Sequence, residues 1–149
     1  DTLVRLAVQC FDGYGHYFAN NRLRHEDCVD VYGDWAYNSC TNANVADKIY
    51  VSEKDGEIAG YLSFKTYVVD GKKYAAGGMG AVDPKHRGKG VFRDIAITGI
   101  GWGAENGYDW HEHNVLIDNI SVNKSFLSAG FKSYGIRVTL HGWCDELKK

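Results

Sequence analysis

The sequence predicts an α+β layer architecture, and three observations predict it. Apolar residues at helical spacing open the chain, β-branched and aromatic runs broken by two Asp-Gly turns fill its middle, and a glycine-rich loop then leads into an amphipathic helix. At 149 residues the chain has room for one core and not for two, so residues 1–149 are read as a single domain.

Thr2 to about Phe11 carries Leu3, Leu6, Ala7 and Cys10 on one stripe, which predicts a short helix. His25-Glu26-Asp27 opens a second helix, with acidic residues in its first turn and Val29, Tyr32, Trp35 and Ala36 expected on its buried face. The period then changes to that of strands. Residues 48–52 and 57–64 flank Asp55-Gly56 as a hairpin, and Asp70-Gly71 separates Tyr67-Val68-Val69 from a third strand running through Tyr74 to Val82. That strand is expected to stop at Asp83-Pro84. A helix follows from Val91 to Asn106-Gly107, then a strand from Trp110 to Ile117, a short helix from Asn119 to Ala129 ended by Gly130, and a last strand from Ile136 to Trp143.

Composition excludes several classes. Apolar residues make up 44% and charged residues 24%, the balance of a soluble domain with a core. The 17 Lys and Arg are scattered among 19 Asp and Glu, with a net charge of −2, so the chain carries no footprint for nucleic acid or an anionic membrane. No apolar run approaches the ~20 residues of a membrane helix, and Asp1-Thr2-Leu3-Val4-Arg5 has no signal-peptide pattern. Cys10, Cys28, Cys40 and Cys144 form no CxxC pair, which predicts free thiols and a reducing, cytoplasmic setting.

The chemistry is expected at Lys85-His86-Arg87-Gly88-Lys89-Gly90. Positions without side chains let successive backbone N–H groups face one concavity, the following helix adds its positive end, and Lys85, Arg87 and Lys89 add charge, so a pyrophosphate suits this loop. Taken alone, the loop is equally an ordinary tight turn with solvated basic residues.

Two motifs carry a resemblance. Residues 81–92, Ala81-Val82-Asp83-Pro84 through Gly88-Lys89-Gly90-Val91-Phe92, resemble the acyl-CoA-binding motif of the GCN5-related N-acetyltransferase (GNAT) superfamily. Asn119, Phe126 seven residues on, and Gly130-Phe131 are similar to that family's closing signature. The resemblance implies a mixed sheet with an antiparallel meander and helices on both faces. It also implies that the family's first strand is missing here, as though a longer N-terminal region preceded Asp1. Residues 16–23 and 32–39 are similar, more weakly, to the dTDP-fucosamine acetyltransferase group.

From the resemblance, acetyl-CoA is the expected cosubstrate, with no metal, and the partner a primary amine of a small molecule, possible forms being an amino sugar or a nucleotide-linked amino sugar. Ala81, Val82, Lys85, Arg87, Gly88, Lys89, Gly90, Val91, Phe92, Asn119 and Phe126 are assigned to the cofactor, and backbone N–H groups between Met79 and Val82 to the oxyanion. A homodimer is implied by the family habit and by the open edge of an incomplete sheet.

Two departures stand out. The family's frequent tyrosine acid is Phe126 here, and its frequent glutamate base, six residues before Val82, is Ala76. Candidates for the missing groups are Glu112 and His113 in His111-Glu112-His113, and Tyr134 as a proton donor; strand alternation sets the two histidines on one face and Glu112 on the other. His86 is read as a phosphate neighbour, and Asp109, Asn114 and Asp118 as candidate contacts to a polar acceptor. Trp35 and Trp110 are the tryptophans best suited to line a cleft. The departures leave a second reading open, a non-catalytic acyl-CoA-binding or regulatory domain.

Overall fold

Two hydrophobic layers, one on each face of a four-stranded sheet, organise the computed structural model, which describes residues 1–145. In chain order the elements are α1 (Thr2–Phe11), a 3-10 turn (His16–Ala19), α2 (His25–Thr41), β1 (Lys48–Lys54), β2 (Glu57–Val69), β3 (Lys72–Val82), a 3-10 turn (Pro84–His86), α3 (Val91–Glu105), β4 (Trp110–Glu112) and α4 (Ile120–Ser128). The strand order is β1-β2-β3-β4, antiparallel through β3, with β4 parallel to β3. This is the α+β class and mixed sheet that the sequence predicts.

Both Asp-Gly pairs form their turns with positive φ at each residue, 53° and 78° at Asp55-Gly56 and 50° and 74° at Asp70-Gly71. Such turns match the right-handed twist of the flanking strands. One layer joins Leu6, Ala7, Tyr32 and Ala36 of α1 and α2 to Tyr61, Met79 and Ala81 of the sheet. The other joins Val91 and Ile95 of α3 to Ala59, Leu62 and Phe64. Burial of each large side chain stabilises the fold by about 1.5–3 kcal/mol.

Three local expectations are corrected. Trp35 is exposed, because the buried stripe of α2 runs through Cys28, Tyr32, Ala36 and Ser39, and Trp35 lies about 100° round the helix from Ala36. The strand expected over 110–117 has only three residues, since the chain leaves the ladder after Glu112, where the His113 ring occupies the space beside Gly77. The strand expected over 136–143 does not form; Ile136, Val138 and Leu140 are 78–86% exposed, and the segment is held by side chains instead. His141 bonds His16 and Asn20 at 3.1 Å, and the Arg22 guanidinium sits 4.2 Å over the Trp143 ring.

Candidate active site

The parting of β3 from β4 builds the site. The strands pair over Tyr74↔Trp110, Ala75↔His111 and Ala76↔Glu112 only, while β3 runs on to Val82. Beyond Ala76 a fork therefore opens, and the β3 edge facing it turns unladdered backbone groups towards the gap. Leu62 pairs with Gly80 and Phe64 with Gly77, so two residue steps of β2 span three of β3, a bulge in the stretch assigned to the oxyanion. Ser63 Oγ locks this bulge, accepting from Met79 N at 2.9 Å and donating to Met79 O at 3.1 Å.

At the end of β3 the Asp83 carboxylate accepts from Lys85 N at 3.0 Å and Pro84 starts the 3-10 turn, which fixes the exit into the glycine loop. Gly88 and Gly90 adopt φ of 73° and 81°, values that side chains disfavour. Among the described residues no carbonyl or side chain takes the N–H groups of Gly88, Lys89, Gly90, Val91, Phe92 and Arg93. Six successive donors thus remain without a protein acceptor at the positive end of α3, a feature that fits a pyrophosphate. The basic side chains brace the loop: Lys85 pairs with Glu57, Arg87 Nε donates to Val82 O at 3.2 Å, and Lys89 Nζ donates to Lys85 O at 3.0 Å. His86 Nε2 is buried without a protein partner among the described residues.

The far wall comes from α4. Asn119 caps it, its side-chain oxygen accepting from Val122 N at 3.1 Å, and its amide donates to Tyr14 Oη at 2.8 Å, tying α4 to the turn after α1. Phe126 is buried edge-on to Phe92 at 5.3 Å and lies 4.4 Å from the His113 ring. His111 and His113 pack among Phe64, Phe126 and Phe131 on the α3 face, and His111 Nδ1 and Nε2 and His113 Nε2 have no partner among the described residues. Burial pushes His113 down to about 3 and His111 to about 4, so both imidazoles are neutral at neutral pH.

Glu112 stands on the opposite face of the sheet, the face it shares with Tyr67. Its carboxylate accepts from Tyr67 Oη at 2.6 Å and from Tyr134 Oη at 3.1 Å. Ala76 is its register partner, so an acid absent from β3 is present on the neighbouring strand, about 4.8 Å across. Tyr67 stacks on Tyr74 with centroids 5.1 Å apart and planes at 5°, and Trp110 continues that row, 59% exposed. Tyr134 is 82% exposed with its hydroxyl on Glu112. Asp109 binds Lys72 and the Lys73 backbone, closing the start of β4.

Glu112 and Tyr134, separate candidates in the sequence, meet here through a hydrogen bond, whereas Tyr67 is not among the sequence candidates. The signal was present, since a two-residue turn at Asp70-Gly71 fixes Tyr67 opposite Tyr74. Trp35 lies on the outer side of α2, off its buried stripe. Among the described residues no cluster of three His, Cys, Asp or Glu is disposed to hold a metal ion, and no helix is long and apolar enough to cross a membrane.

Solved structures share this fold. A transcriptional regulator from Bacillus halodurans C-125 matches with 19% identity, 94% of this chain and 93% of that one, and a TM-score of 0.65. AAC(6')-Iy in complex with the bisubstrate analogue CoA-S-monomethyl-acetylneamine matches with 16% identity, coverages of 95% and 89%, and a TM-score of 0.61. The aminoglycoside 6'-N-acetyltransferase AAC(6')-IG from Acinetobacter haemolyticus matches with 15% identity, coverages of 76% and 83%, and a TM-score of 0.57. At these identities the likeness establishes the fold. No curated protein sequence matches the chain. The family model for acetyltransferases (GNAT) matches residues 14–131, a span that holds the meander, the fork, the glycine loop and the Asn119-to-Phe131 signature, and the chain belongs to that family.

Proposed function

We propose that the chain is an N-acetyltransferase that moves an acetyl group from acetyl-CoA to a primary amine of a small molecule, with an amino sugar as the favoured acceptor. The observation that carries the reading is the fork, with six unpartnered N–H groups beside it and a carboxylate on its opposite face. Bound acetyl-CoA supplies a thioester carbonyl and a thiolate leaving group. The loop N–H groups of 88–93 hold its pyrophosphate, and β3 backbone N–H groups in the bulged stretch stabilise negative charge on the carbonyl oxygen. Glu112 receives the acceptor's ammonium, takes one proton from it and leaves the nitrogen lone pair free to attack.

Glu112 suits that role better than His113. Its carboxylate lies among the exposed Tyr67 and Tyr134 side chains, whereas burial removes the basicity of His113, whose ring packs on Phe126. The exposed ring of Trp110 and the Tyr67–Tyr74 stack offer flat apolar faces beside the carboxylate, a combination that accommodates a sugar ring bearing an ammonium group. The dTDP-linked and aminoglycoside amino sugars share that chemistry.

Thiol release from acetyl-CoA across a panel of amines tests the reading. Turnover is expected with amino sugars, and Glu112→Gln should lower kcat by about 100-fold or more while leaving the Kd for acetyl-CoA unchanged. Binding of acetyl-CoA without turnover on any amine would favour an acyl-CoA-binding domain over an enzyme.

A further inference from the structure

The fork accounts for Glu112 but leaves Tyr67 without a role, although its hydroxyl makes the shorter of the two bonds to that carboxylate. A separation of 2.6 Å is that of a charge-assisted O–H···O bond, and the ring that delivers it is held twice. Its backbone is fixed opposite Tyr74 by the Asp70-Gly71 turn, and its ring stacks on the Tyr74 ring. Lys65, on the same face of β2 in the register row of Glu112, turns away to Asp47 and Ala43 O. Ala76 gives Glu112 no lateral wall. Nothing else on β2 or β3 steers the carboxylate, whereas Tyr134 approaches it from an exposed segment.

We propose that Tyr67 is a positioning residue: anchored in the rigid meander, its hydroxyl fixes one Glu112 oxygen so that the remaining lone pairs of the carboxylate face the amine acceptor. A carboxylate has about four acceptor sites, so two phenols leave room for an ammonium. Tyr134, from the opposite side, is the adaptable partner and yields its bond when an acceptor of different shape enters. Specificity at this site is thus divided between a fixed phenol on β2 and a movable one after α4. The inference rests on the reading of Glu112 as the carboxylate that meets the acceptor.

The same bond marks Tyr67 spectroscopically. Its phenol is pushed up to about 12, first by burial and then by the hydrogen bond and charge of Glu112. The test combines a titration with a double-mutant cycle. Tyrosine labelled with 13C at Cζ is titrated by NMR, with the Tyr67 signal assigned by its absence in Tyr67→Phe. In Glu112→Gln the Tyr67 deprotonation should move to lower pH. In activity, Tyr67→Phe should lower kcat/KM for the amine about tenfold with KM for acetyl-CoA unchanged, and should have no further effect in the Glu112→Gln background. Phe preserves the stack on Tyr74, so the variant is expected to fold, which its melting temperature checks.

An unmoved Tyr67 titration in Glu112→Gln, or an equal loss from Tyr67→Phe in both backgrounds, overturns the positioning role. A wild-type chain that acetylates no amine overturns the enzymatic reading instead, and the NMR arm still reports whether the two side chains are coupled.

Discussion

His113 shows how a residue's surroundings decide its chemistry. Its ring fills the space over Gly77, where an added Cβ would meet Nδ1 at 1.6 Å, so this glycine is required by the imidazole and not by a turn. The aromatic cage that holds it also desolvates it, and an imidazole held at about 3 accepts no proton near neutrality. The same burial sets a pH dependence. Histidine ordinarily titrates at 6.5, so below that pH the unfolded chain takes protons that His111 and His113 refuse in the fold, down to about 4 and 3. Stability is therefore complete above pH 6.5 and falls as pH drops through this window, by about 1.4 kcal/mol per pH unit for each imidazole. Denaturant melts between pH 7 and 5 should show that slope, and His113→Phe should remove about half of it. A slope unchanged in the variant would mean that His113 is not desolvated.

Elements fixed by local turn chemistry were legible in the sequence, and those fixed by distant partners were not. The Asp-Gly turns determine both antiparallel registers, and acidic residues opening α2 and Gly90 preceding α3 mark their starts. The pattern of 110–117 and 136–143 was equally visible, but a strand also needs a neighbour within hydrogen-bonding reach, and the chain parts from β3 after Glu112. The exposure of Trp35 is not legible in the sequence, because residue spacing locates a stripe to within one helical position and cannot say which side of it faces α1. Asn119, matched to the family signature, shows a structural use in addition: it caps α4 and reaches Tyr14. Asn119→Ala should therefore cost about 2 kcal/mol, one for the cap and one for the bond, and lower the melting temperature by about 4–8 °C. Calorimetry of the variant checks this, with a change under 1 °C showing that α4 is held by its Phe126 packing alone.

On the scale of the whole molecule, the sheet separates two groups of residues. The α3 face gathers the glycine loop, Phe92 and Phe126, and the α1–α2 face carries Glu112 with its two phenols, the fork passing between them. In the proposed reading Glu112 stands in for the acid that Ala76 lacks, since the two residues are register partners on neighbouring strands at the fork. The sequence carried the loop and both motifs because they are contiguous; it hid the pairing of Ala76 with Glu112 because parallel register is set through the α3 crossover. The central claim, that the loop at the mouth of this fork holds an acyl-CoA, is tested most directly by isothermal titration of acetyl-CoA into the wild-type chain, Gly88→Ala and Gly88→Glu. The account predicts micromolar binding to the wild type, weakening by about 1 kcal/mol in Gly88→Ala from strain at positive φ, and no detectable binding to Gly88→Glu, whose carboxylate meets the pyrophosphate. Equal affinity in all three, or no heat with the wild type, would contradict it.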